Sequence, residues 1–210
     1  MRGTTPGGRQ PRFPGFDVVA QAGHWDSVTA GVVLARLGPP PPIRFFTPDE
    51  EAIARPLLDL LLDQHDEPRV PVLEMIDSRL AEQSTDGWRY EDLPEDGQAW
   101  RDTLAALDED AQDAHGIGFA RCDDKRRNAL IQAVQDLGAK PWHDLPAGRV
   151  WSLWTRYACT AFYAHPWAWN EIGFGGPAYP RGYKNAGVGR REPWEVADHV
   201  DRDPVGGDRR

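Results

Sequence analysis

Nowhere does this chain sustain the apolar–polar alternation of a strand, whereas stretch after stretch carries apolar residues at helical spacing between a start signal and a stop signal. The clearest start is FFTPDEEAIARPLLDLLLDQ. Thr47 is placed to cap, Pro48 to take the first helical position and Glu50 to close a capping box. Asp49, Glu50 and Glu51 fall at the positive end of the helix dipole. Ile53, Leu57, Leu60 and Leu61 supply a buried stripe, and Pro56 inside it is expected to kink or restart the helix.

The pattern repeats down the chain. A second helix starts at Pro71, with Val72, Leu73, Ile76 and Leu80 on one side. A third opens at Pro94, closes at Gly116 and buries Trp100, Leu104 and Leu107. A fourth runs from about Asp124 to Leu137, stopped by Gly138. The last carries Val150, Trp151, Trp154, Tyr157, Ala158 and Ala161 as a broad aromatic face. Upstream, HWDSVTAGVVLARLG predicts a short helix capped by Asp26 or Ser27, with Val28, Val32, Val33 and Leu37 near one face. Pro39 to Pro42 follow as a stiff polyproline spacer, a rigid link or a ligand for a proline-reading domain. The expected fold is an all-α irregular bundle of about five or six helices. Its expected divisions are an N-terminal extension over 1–42, a helical domain over 43–165, and a non-regular aromatic arm with a tail over 166–210. Residues 1–15 and 201–210 have the Gly, Pro and charge content of disordered ends.

A formal net charge of −9 repels phosphate backbones, and no Lys/Arg stripe offsets it, so nucleic-acid binding is not expected. Cys122 and Cys159 stand alone, which disfavours a disulfide framework or a thiolate metal site. No stretch is apolar for long enough to span a membrane. No signal peptide or twin-arginine pair is legible near Met1, so the chain is expected in the cytoplasm unless a partner exports it.

Catalytic and cofactor motifs are hard to find. There is no GxSxG, P-loop or HExxH, and no glycine run completes GxGxxG after a strand. Neither a catalytic residue, a metal nor a cofactor is therefore assigned to this chain. The acidic run Asp108 to Asp113 lacks calcium-loop spacing and reads as a solvated helix face. Of six histidines, His165 stands out because Asn170 and Glu171 follow closely. Those three residues offer an alternative reading, a stand-alone enzyme with an acid–base site.

The stretch FYAHPWAWNEIGFGGPAYPRGY, residues 162–183, is rich in Gly, Pro and aromatic residues. Its backbone polar groups must find partners somewhere. It either folds back on its own bundle or lies in a groove of another protein, and the two options can divide it. As a partner-binding arm its contact set is His165, Trp167, Trp169, Asn170, Phe174, Gly175, Gly176, Tyr179, Arg181 and Tyr183. Glycines there permit close backbone approach or positive φ.

FFTPDEEAIARPLLDLLL, PVLEMIDSRL with its Ile76-Asp77 pair, and TRYACTAFYAHPWAWNEIGFGGPAYPRGY resemble, in order, blocks of the gluconate 2-dehydrogenase subunit 3 family. The resemblance spans roughly Phe45 to Tyr183. It implies a non-catalytic small subunit that binds, stabilises or helps mature a large FAD-dependent dehydrogenase of the glucose–methanol–choline type, acting on a sugar or alcohol. It implies FAD on that partner, none in this chain, and a cytochrome c subunit as an optional further partner. Many members of the family carry a twin-arginine signal; here an extra helix and the polyproline link stand before the first shared block instead.

Overall fold

The computed structural model describes residues 3–8, 13, 15–180, 182–185, 187, 190–192 and 194–196. Among them are seven α-helices and one two-residue β-pair: α1 Ser27–Ala35, α2 Pro48–Leu61, α3 Val72–Ala81, α4 Asp96–His115, α5 Asp124–Leu137, β1 Pro141–Trp142, β2 Leu145–Pro146, α6 Ala147–Tyr163 and α7 Pro166–Ile172. The chain is all-α, as its punctuation predicts. No helix among the described residues is long and apolar enough to cross a membrane.

The chain divides into two compact units that do not follow sequence order. The central unit is Pro40–His65 with Pro71–Phe162; the terminal unit is Met1–Pro39, Asp66–Val70 and Tyr163–Arg210.

In the central unit the local signals act as expected. The Thr47 hydroxyl accepts from the Glu50 N–H, and the Glu50 carboxylate accepts from the Thr47 N–H at 2.8 Å, completing the capping box. Helix α2 continues through Pro56 as one element. Asp123 caps α5 through the Arg126 N–H, and Gly116 ends α4 with φ 70°. Trp100, Trp154, Tyr157, Phe119, Leu57, Leu58, Ile76 and Leu104 are fully buried and form the core. The indole N–H of Trp154 donates to the Thr103 hydroxyl, which itself donates to the Trp100 carbonyl. Two carboxylates of the acidic run do more than face solvent: Asp108 accepts from the Phe119 N–H at 2.7 Å and Asp110 from the Trp142 indole at 2.7 Å.

Asp77 holds the entrance of α2. It is fully buried on α3, and its carboxylate accepts the backbone N–H groups of Arg44, Phe45 and Phe46 at 2.7–2.9 Å. Three charge-assisted bonds gather a segment that no helix or sheet would satisfy.

The terminal unit departs from expectation in three places. The first concerns the described residues within 1–15, a stretch expected to be disordered. Thr5 and Phe13 are buried, Gly3 N–H donates to the Phe16 carbonyl, and Gly7 N–H donates to the Pro68 carbonyl. The second is α7, seven helical residues where an arm without regular structure was expected. The third is the buried face of α1. Val28 is 73 % exposed and Val32 54 % exposed, while Val33 alone of the four expected residues is buried. Apolar residues lie nearly all round α1, so spacing alone does not pick its inner side. The expected disorder of 201–210 concerns residues outside those described.

Candidate functional site

The aromatic arm is organised by three residues close together in the sequence. His165 ends the run out of α6 and caps α7: its Nδ1 accepts from the Trp167 N–H at 3.2 Å, and Pro166 takes the first helical position. Its Nε2 donates to the Arg36 carbonyl at 2.9 Å, just past the end of α1. With a carbonyl as acceptor there, the imidazole is neutral and protonated on Nε2. Burial pulls its pKa down to about 4 from 6.5, outweighing the Arg36 carbonyl that favours the proton. The Arg36 guanidinium donates to the Ala164 carbonyl at 2.6 Å, closing the same junction.

Asn170, on α7, is the second. Its Oδ1 accepts from the Val18 N–H at 2.7 Å and its Nδ2 donates to the Thr4 carbonyl at 2.8 Å. One buried amide thus ties α7 to the 3-10 helix Val18–His24 and to the N-terminal segment. Trp169 is the third. It packs with Val18, Trp25 and Val33, donates its indole N–H to the Tyr163 carbonyl at 2.6 Å, and meets Phe174 edge-on at 5.3 Å.

Beyond α7 the backbone turns at Gly173, φ 70°, and again at Gly176, φ 81°. A Cβ at Gly176 would overlap the Trp25 indole, so the close approach expected of these glycines is made within the chain itself. Gly175 is buried beside it. Further on, the buried Glu192 carboxylate accepts the backbone N–H groups of Lys184 and Asn185 and the Asn185 side-chain amide at 3.1 Å.

The ten residues of the expected contact set therefore separate. His165, Trp169, Asn170, Gly175 and Gly176 are buried and hold the unit together. Trp167 is half-buried against the His165 ring. Phe174, Tyr179 and Tyr183 are exposed, Tyr179 the most so. Arg181 lies outside the described residues. The alternative acid–base site meets a physical objection in the same geometry. Both ring nitrogens of His165 and both polar ends of Asn170 are already committed to backbone partners. Among the described residues, no group of three or more His, Cys, Asp or Glu is arranged to hold a metal ion.

Sequence reasoning missed the partners of Asn170 and His165, which lie 166, 152 and 129 positions away. It also expected no regular structure from residue 166 onward. The signal that finds α7 is His165 before Pro166 with Gly173 seven residues on, a cap, a first position and a left-handed stop.

The fold and this arm define a helical protein whose C-terminal arm is pinned by a neutral histidine and a bridging asparagine and turns aromatic side chains to solvent. A family model described as gluconate 2-dehydrogenase subunit 3 matches residues 48–176, and the chain belongs to that family. The description is of one subunit of a larger dehydrogenase, which makes an accessory role the general reading. Neither a search of curated proteins nor a search of solved structures returned a match.

Proposed function

We propose that this chain is a non-catalytic small subunit that binds and stabilises an FAD-dependent dehydrogenase of the glucose–methanol–choline type, docking through its terminal unit. The flavin and the oxidation of a sugar or alcohol belong to the partner, and a cytochrome c subunit is compatible with the same assembly. One observation carries the reading. Among the described residues, all but one of the exposed large apolar side chains lie in the terminal unit. Val28, Val32 and Leu34 stand out on α1, and Ile172, Phe174, Tyr179 and Tyr183 on α7 and the arm. Such a concentration in water supports an interaction surface, and aromatic residues are the type enriched in interface cores. The buried half of the arm supports this by fixing the exposed half, which lowers the entropy lost on association.

Co-expression with the catalytic subunit tests it. Tyr179→Ala/Tyr183→Ala and Val28→Ser/Val32→Ser should each leave the melting temperature of the isolated chain within a few degrees, because these side chains are exposed. Each should reduce the flavoprotein recovered with the tagged chain at least tenfold. Full recovery with both double variants would refute docking through this unit.

A further inference from the structure

Trp88 is the exception to that concentration, the one exposed large apolar side chain described in the central unit, with 51 % of its surface open. It sits in the segment between α3 and α4 and is held in place from several sides. The Arg156 guanidinium, on α6, lies 5.1 Å from the centre of the indole and 4.9 Å from the ring of Tyr157. Tyr90 meets Trp88 edge-on at 5.3 Å and is covered in turn by Arg149 at 3.8 Å. Asp86 pairs with both Arg79 and Arg156. Although burial works against the charge, the two guanidinium groups hold the Asp86 carboxyl below its ordinary pKa. The aromatic platform is therefore buttressed by ring and ion-pair contacts before any partner arrives.

About half of the Trp88 surface is open, and the contacts described for it, Arg156 over the ring and Tyr90 at its edge, do not engage the indole N–H as a hydrogen-bond donor. Arginine, tyrosine and tryptophan are the residue types that dominate binding hot spots, and a rotamer already fixed loses little entropy on docking. Arg149 pairs with Asp92, and Arg79 and Arg156 with Asp86 and Asp96, so the paired charges of the patch balance. A neutral aromatic surface on a chain of net charge −9 suits a protein surface with an apolar pocket and a carbonyl acceptor, and does not suit a polyanion. Trp88 also lies within residues 48–176, the part of the chain that defines the family, whereas α1, Tyr179 and Tyr183 fall outside it. We infer that Trp88, set on Arg156 and Tyr90, is a second anchor for the dehydrogenase catalytic subunit, carried by the central unit. This rests on the accessory-subunit reading.

The test is titration of the purified full chain into the separately purified catalytic subunit, with Trp88→Ala and Trp88→Phe beside wild type and Tyr179→Ala/Tyr183→Ala as the arm control. Trp88→Ala should raise Kd at least tenfold with an unchanged melting temperature, and Trp88→Phe, which keeps the stacking but loses the N–H, should fall between. A Kd within twofold of wild type for Trp88→Ala overturns the inference; if the arm control still weakens binding, the accessory role stands without it. Failure of wild type itself to bind overturns both. A Trp88→Ala effect seen only in self-association by sedimentation assigns the anchor to a second copy of this chain and also overturns it.

Discussion

At the scale of single residues, two positions in the arm combine geometry with a definite cost. Gly176 has φ 81° and lies against Trp25, so Gly176→Ala meets both left-handed strain and overlap with a buried indole. A loss of about 3 kcal/mol is expected, summing backbone strain and overpacking. Urea denaturation reads it, and a loss under about 0.5 kcal/mol, the size of an ordinary surface change, would contradict the assignment. His165 supplies the second case. Its pKa is lowered to about 4 in the folded chain against 6.5 for the free side chain. Between those values the unfolded chain binds the proton and the folded chain resists it. The stability due to a neutral His165 is thus fully present above pH 6.5 and is lost as pH falls toward 4. His165→Asn keeps an acceptor to cap α7 and removes the titration. Its melting temperature should fall less than that of wild type between those two pH values. Equal slopes would mean that His165 is not the titrating group.

At the scale of elements, what was legible in the sequence depended on how local the deciding interactions are. Helices α2 and α5 could be bounded because Thr47, Glu50 and Asp123 bond within three residues of themselves. Helix α7 escaped because proline both ends and begins helices, and only the pairing of His165 with Gly173 decides between them. The face of α1 escaped because its apolar residues surround it, and burial is set jointly by Trp25, just upstream, and Trp169, from the far end of the chain. The site was legible in the same proportion. Its aromatic residues were visible as a group. Their separation into buried supports and exposed contacts was not, because Asn170 reaches Thr4 and Val18 across the length of the chain.

Asp77 shows how one carboxylate can set an element. By collecting three backbone N–H groups of Arg44, Phe45 and Phe46 it fixes where α2 begins. Asp77→Ala leaves those donors without their acceptor and should cost about 3 kcal/mol or more, as unsatisfied buried groups do. Chemical denaturation of the full chain checks this, and a cost below about 1 kcal/mol would show that Asp77 is not the anchor.

For the whole molecule, the division of labour is the informative feature. In the central unit Trp100, Trp142 and Trp154 are buried, Trp142 meeting Trp154 edge-on at 5.6 Å, while Trp88 stands exposed. The terminal unit buries Trp25 and Trp169 and leaves valine, leucine, phenylalanine and tyrosine in water. On the accessory-subunit reading proposed above, that exposure would be recovered as buried area on assembly. The most direct measurement is flavin absorbance across size-exclusion profiles of the full chain, purified alone and after co-expression with the catalytic subunit. The expected result is a chain free of flavin and of dehydrogenase turnover by itself, and one co-eluting species carrying flavin when both are made together. Flavin or turnover in the isolated chain, or separate elution of the two proteins, would contradict it.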